Sequence, residues 1–133
     1  MTDLMFFYGT LMRPFHWTGR IRLDEHLVYV GRGTIAAALF DLGIYPAAVP
    51  ATDARAWGEL YRMTHPAIVL PLLDDFEGCR SEEPESNLYT RDLMPVTLQD
   101  GGEIEAWVYF YNAPLGRAER IPSGDYLEHL NMR

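Results

Sequence analysis

At 133 residues the chain fits one domain and is long enough to bury roughly two-thirds of its unfolded surface, so it needs no cross-link to hold a core. Its 11 Lys and Arg stand against 19 Asp and Glu, a net charge of -8; no basic cluster compensates locally, which argues against nucleic acid and anionic membrane as partners. Cys79 is the only cysteine, which excludes an internal disulfide and suits a reducing cytoplasm. No segment approaches the ~20 apolar residues of a membrane span, and Asp3 and Arg13 bracket a hydrophobic run too short for a signal peptide.

Leu4 to Tyr8 reads as a first strand that breaks into a small-residue turn, Tyr8-Gly9-Thr10-Leu11. Gly9 can take a positive φ without steric cost, so successive amides there can form a concavity for a carboxylate or a developing oxyanion. On residue types alone the plainer reading is an ordinary strand end. Leu27 to Val30 and Ile35 to Phe40 read as strands broken by Gly31 and Gly33, with a bulge or bend between them. Tyr45 to Val49 is a short segment bounded by prolines. Ala56 to Met63 alternates, with Trp57, Glu59, Tyr61 and Met63 on one side and Gly58, Leu60 and Arg62 on the other.

Ile68, Leu72, Leu73 and Phe76 recur at helical spacing. Pro71 is tolerable only in a first turn, so the helix is expected to start close to Ile68 or to be kinked by the proline. Glu77 then falls in the last turn, and Gly78 is placed to end the helix. Cys79 to Asn87, rich in acidic residues, reads as a loop. Thr90 to Leu98 and Ile104 to Tyr111 form a hairpin around Gln99-Asp100-Gly101-Gly102. A short helix from Asp125 to Leu130, capped by Ser123 or Asp125, closes the chain. One domain of mostly antiparallel strands carrying one or two helices follows.

A glutamate near a helix C-terminus is by default a solvated residue that opposes the helix dipole. Asp74 and Asp75 read as solvated-face or capping residues rather than metal ligands. His16, His26, His65 and His129 form no close pair of metal-ligand spacing. Cys79 lies near Arg80, which can lower a thiol pKa, yet no histidine adjoins it as a base. The tyrosines read as core or barrel-wall aromatics, with Tyr8, beside the turn, best placed to meet a ligand.

Tyr8-Gly9-Thr10-Leu11, Gly58-Glu59-Leu60-Tyr61, Leu73-Asp74-Asp75-Phe76-Glu77-Gly78, Tyr89-Thr90-Arg91, Ala106-Trp107-Val108-Tyr109 and Ile121-Pro122-Ser123-Gly124-Asp125-Tyr126 together resemble the gamma-glutamylcyclotransferase-like family, which includes the gamma-glutamylamine cyclotransferases and AIG2-like proteins. The resemblance runs nearly end to end and implies that residues 1–133 form a single α+β domain of this kind, a small closed mostly antiparallel β-barrel with flanking helices. It also implies that Tyr8, Gly9, Thr10 and Leu11 bind substrate and that Glu77 is the catalytic acid/base. The loop from Arg80 to Ser86 matches no motif of that family.

Such an enzyme would release 5-oxoproline from a gamma-glutamyl amine or gamma-glutamyl amino acid, in the cytoplasm. The substrate's own α-amine attacks its γ-carbonyl, so the reaction calls for no metal and no other cofactor. Holding the two groups together can contribute ~7–11 kcal/mol. One carboxylate, its pKa lifted by apolar neighbours such as Phe76, can carry the protons. The alternative from another class is a non-catalytic binding module that uses the same pocket for a small metabolite. Sequence alone sets neither the amine, the pathway nor the oligomeric state.

Overall fold

A computed structural model describes residues 2–15, 23–43, 45–77 and 88–131. His16, Gly78, Cys79 and the acidic stretch from Arg80 to Ser86 lie outside the described residues. Among the described residues eight strands, β1 (Leu4–Phe7), β2 (Leu27–Ile35), β3 (Ala37–Asp41), β4 (Pro46–Pro50), β5 (Ala56–Met63), β6 (Tyr89–Leu98), β7 (Glu103–Tyr111) and β8 (Glu119–Arg120), accompany two α-helices, α1 (Pro66–Glu77) and α2 (Tyr126–His129). Strands β1, β5, β2, β6 and β7 close a barrel in that order, antiparallel except where Met5 of β1 pairs with Trp107 of β7 in parallel. The expected closed, mostly antiparallel barrel with few helices is therefore the fold. The remaining strands form a second sheet in the order β4, β3, β8.

Strand β1 has neighbours on both edges and all four of its residues are buried, which explains a continuous apolar run in place of alternation. The hairpin of β6 and β7 forms as expected, pairing Thr97 with Glu103 at its mouth, and Gly101 takes φ 96° in the turn. The glycines of β2 do not break it. The strand runs unbroken for nine residues with an irregularity between Tyr29 and Gly31, and the chain turns at Ala36 instead. A Cβ at Gly33 would lie 2.7 Å from the Thr97 carbonyl oxygen, so this glycine lets β2 and β6 cross closely rather than ending a strand.

Helix α1 begins at Pro66, two residues earlier than the apolar spacing suggests, and Pro71 lies in its second turn. The proline deprives the Ala67 carbonyl of its helical donor, but Ala67 and Pro71 are both exposed, where water can replace that bond. The helix packs Val69, Leu70 and Leu73 into the core. Of the expected stripe only Leu73 is buried; Ile68, Leu72 and Phe76 remain 47%, 48% and 40% exposed. Among the described residues no helix is long and apolar enough to cross a membrane.

Of the two capping candidates for α2, it is Asp125 that accepts from the Glu128 amide, at 3.2 Å. Its other oxygen receives Arg32 Nη2 at 2.5 Å, and the Arg32 guanidinium lies 4.2 Å from the centre of the Trp57 ring. One buried carboxylate thus fastens α2 to β2 and β5. Asp125→Ala should lower stability by about 3 kcal/mol, since it removes a cap and leaves a half-buried cation unpaired. Asp125→Asn keeps an acceptor for the cap and should lose less; urea unfolding of both variants measures the difference.

Candidate active site

The turn after β1 and the last turn of α1 face one cavity of about 420 Å³, and Tyr8, Gly9, Thr10, Leu11 and Glu77 all line it. Residues nearly seventy positions apart in sequence are thus brought to one wall. Strand β1 delivers the turn from the barrel, where Phe7 pairs with Glu59, and the Met12 amide closes it by donating to the Gly9 carbonyl at 3.0 Å. Strand β4 delivers Pro46 and the hairpin delivers Tyr89 and Tyr109 to the same space.

Gly9 is not among the residues of positive φ, which corrects the expectation that the turn exploits left-handed backbone. Space is what requires glycine there. A Cβ at Gly9 would lie 2.7 Å from Pro46 Cγ and 3.0 Å from Pro46 Cδ, so the absence of a side chain lets the turn rest against the second sheet.

Three tyrosine hydroxyls on the cavity wall are engaged by the protein. Tyr8 donates to the Tyr109 carbonyl at 2.5 Å, Tyr89 to the Pro46 carbonyl at 3.0 Å, and Tyr109 to Asp74 Oδ1 at 2.6 Å. Burial raises the pKa of all three phenols well above the ordinary value, helped at Tyr8 and Tyr89 by the charge of Glu77 and at Tyr109 by the Asp74 hydrogen bond. They remain protonated donors at neutral pH. Tyr8 does line the cavity, but its hydroxyl serves the barrel wall.

Glu77 behaves differently. Burial pushes its carboxyl from the ordinary 4.5 up to about 7, and its place in the last helical turn, where carbonyl dipoles converge, disfavours the anion further. Phe76, the neighbour expected to supply apolar cover, is 40% exposed. It nonetheless lines the same cavity, where Phe6, Phe7, Leu11 and Leu88 add further apolar wall around the carboxyl.

Asp74 is not the solvated residue that its position suggests. Besides accepting from the Tyr109 hydroxyl it forms an ion pair with Arg91, whose Nε lies 3.2 Å from Oδ1. Arg91 and Tyr109 are opposite partners on β6 and β7, so the hairpin register presents the cation and the hydroxyl donor together. Asp75 is exposed and also lines the cavity. The alternation of the two strands carries the signal for the Arg91–Tyr109 pair, but the aspartate that joins them comes from the helix, and no local pattern links the two. His26 and His65, distant in sequence, have ring centres 5.3 Å apart; among the described residues no three His, Cys, Asp or Glu side chains are grouped to hold a metal.

The contact with Pro46 can be tested directly. Gly9→Ala should destabilise the protein by about 1–3 kcal/mol through overpacking, and Pro46→Ala in the same chain should recover part of that loss. Thermal unfolding of the two single variants and the double variant gives the coupling; strictly additive losses would show that the ring does not set the requirement.

Residues 5–128 match the family model described as gamma-glutamyl cyclotransferase, AIG2-like. A Methanocaldococcus jannaschii protein, provisionally named a gamma-glutamylcyclotransferase, is 29% identical over 129 residues, which cover 96% of this chain and 98% of that protein. The crystal structure of YkqA from Bacillus subtilis aligns over 99% of this chain with TM-score 0.72 and 25% identity, and this chain spans 42% of YkqA. A mouse AIG2-like protein aligns over 84% of this chain and 79% of its own, with TM-score 0.67 and 25% identity. With the barrel, the turn and the helix-borne glutamate in place, the match across nearly the whole chain means that this protein belongs to the gamma-glutamyl cyclotransferase, AIG2-like family.

Proposed function

We propose that the protein is a cyclotransferase that releases 5-oxoproline from a gamma-glutamyl amine or gamma-glutamyl amino acid in the cytoplasm. One observation carries the reading: a carboxyl held near pKa 7 opens on the same cavity as the Tyr8–Leu11 turn. The backbone amides of Gly9, Thr10 and Leu11 grip the glutamyl end and hold the chain folded, with its α-amine against its own γ-carbonyl. Glu77, as the carboxylate, takes the proton of the attacking ammonium. The new C–N bond closes the five-membered lactam; as the bond to the leaving nitrogen breaks, Glu77 returns its proton to that nitrogen, and the second proton shed by the ring nitrogen passes to the released amine, which departs as an ammonium. A group of pKa near the working pH gives up and accepts a proton with similar ease, which suits a residue that does both. The tyrosines, locked as donors to the protein, shape the cavity.

Mass spectrometry for 5-oxoproline after incubation with a panel of gamma-glutamyl amines and amino acids tests the reaction. Glu77→Gln should bind substrate yet lose roughly 10²–10⁴-fold in kcat. A folded variant with near wild-type turnover would leave the cavity as that of a binding module.

The raised pKa predicts two pH dependences. Turnover by the wild type should rise as pH increases through about 7, because the mechanism starts from the carboxylate. Stability should move in the opposite sense: a carboxyl that holds its proton more tightly when folded contributes fully below its unfolded pKa, and that contribution is lost as pH rises from about 4.5 through about 7. Chemical denaturation across this range should show a decline that is absent in Glu77→Gln.

A further inference from the structure

Glu59 lies within β5 and is 6% exposed, and the chemistry assigned to Glu77 makes no use of it. Burying a carboxylate is unfavourable unless hydrogen bonds and an opposite charge replace its water. Two of its three donors come from a single residue. The Arg13 main-chain N–H donates to Oε1 at 2.8 Å and Arg13 Nε to Oε2 at 3.3 Å, while the Tyr61 hydroxyl donates to Oε1 at 2.8 Å. The Arg13 guanidinium lies 3.8 Å from the centre of the Tyr29 ring, and that ring meets Tyr61 edge-on.

Arg13 stands two residues beyond Leu11. Before the turn, Phe7 is held in the β1–β5 ladder directly opposite Glu59; after it, the chain is tied by the Arg13 amide to the side chain of that same residue. Both ends of the turn are therefore referred to one position on β5. Glu59 and Arg13 border a separate hollow of about 590 Å³ and do not line the Glu77 cavity, so any influence on the reaction passes through the backbone.

We infer that Glu59 is a positioning residue that pins the outgoing end of the Tyr8–Leu11 turn through the Arg13 amide and so presets the backbone amides that receive the glutamyl end of the substrate. The inference rests on the cyclotransferase reading of the cavity. A turn fixed before binding has little freedom left to lose when substrate arrives, so releasing it should weaken binding more than chemistry.

Glu59→Ala should raise KM roughly tenfold on the fastest gamma-glutamyl compound of the panel while kcat stays within about twofold. The pH profile set by Glu77 should stay in place. Glu59→Gln keeps one acceptor oxygen and should recover most of the loss. If Glu59→Ala does not fold, Arg13→Ala serves, because its side chain is 59% exposed and its main-chain bond survives; a rise in KM of about threefold is expected. Hydrogen exchange at the Arg13 amide should accelerate in Glu59→Ala and not in Glu59→Gln. An unchanged KM in a folded Glu59→Ala protein, or a kcat loss that Gln does not restore, overturns the inference. If the wild type forms no 5-oxoproline, the cyclotransferase reading falls by itself, and exchange at Arg13 decides whether Glu59 pins the turn.

Discussion

Tyr109 holds the two halves of the cavity at a fixed separation. Its carbonyl receives the Tyr8 hydroxyl at the entry to the turn, and its own hydroxyl donates to Asp74, one helical turn before Glu77. Backbone and side chain of one β7 residue thus connect a loop after β1 with the end of α1. Arg91, opposite Tyr109 on β6, adds its charge to Asp74 and lies 4.6 Å from the centre of the Trp107 ring. Asp74 is consequently a carboxylate held by one hydrogen bond and one ion pair, from two residues that the hairpin register places side by side. Glu77 has no such partner among the described residues, and burial raises its pKa.

The contrast among the carboxylates explains how one acidic chain supports different electrostatic tasks. Glu59 and Asp125 are buried and paired with arginines, each also accepting a main-chain amide. They behave as fasteners, one for the segment that leaves the Tyr8–Leu11 turn and one for α2. Glu77 is surrounded by cavity wall instead, so its proton is held into the neutral range. Net charge says nothing about this division, because each outcome depends on which donors lie within hydrogen-bond reach.

Barrel closure makes the arrangement possible. The parallel contact of Met5 with Trp107 joins the first barrel strand to the last, enclosing β1 on both edges and aiming its end at the cavity. The second sheet then supplies Pro46, whose ring occupies the space that a side chain at Gly9 would need and whose carbonyl receives Tyr89. A turn that looked permissive from its composition is in fact closely packed.

Much of this was legible from residue order. The first strand, the β6–β7 hairpin, the strand from Ala56 to Met63, the helix ending at Glu77 and the Asp125 cap all follow from local apolar patterning, turn chemistry and capping, which act over a few residues. The motif order likewise pointed to the family and to the five residues now found on one cavity. Local rules failed where distant segments decide. Gly33 serves a close crossing with Thr97, Gly9 makes room for Pro46, and α1 buries Val69 and Leu70 while Ile68 and Leu72 stay exposed. The pairings of Asp74 with Tyr109 and Arg91, and of Glu59 with Arg13, depend on contacts across 17 to 46 positions, for which no periodicity exists. The sequence by itself determined the elements, the family and the candidate glutamate; only the tertiary structure decided which carboxylates are paired and which is left to titrate near neutrality, because desolvation and hydrogen-bond donors are supplied by whatever the closed barrel brings alongside.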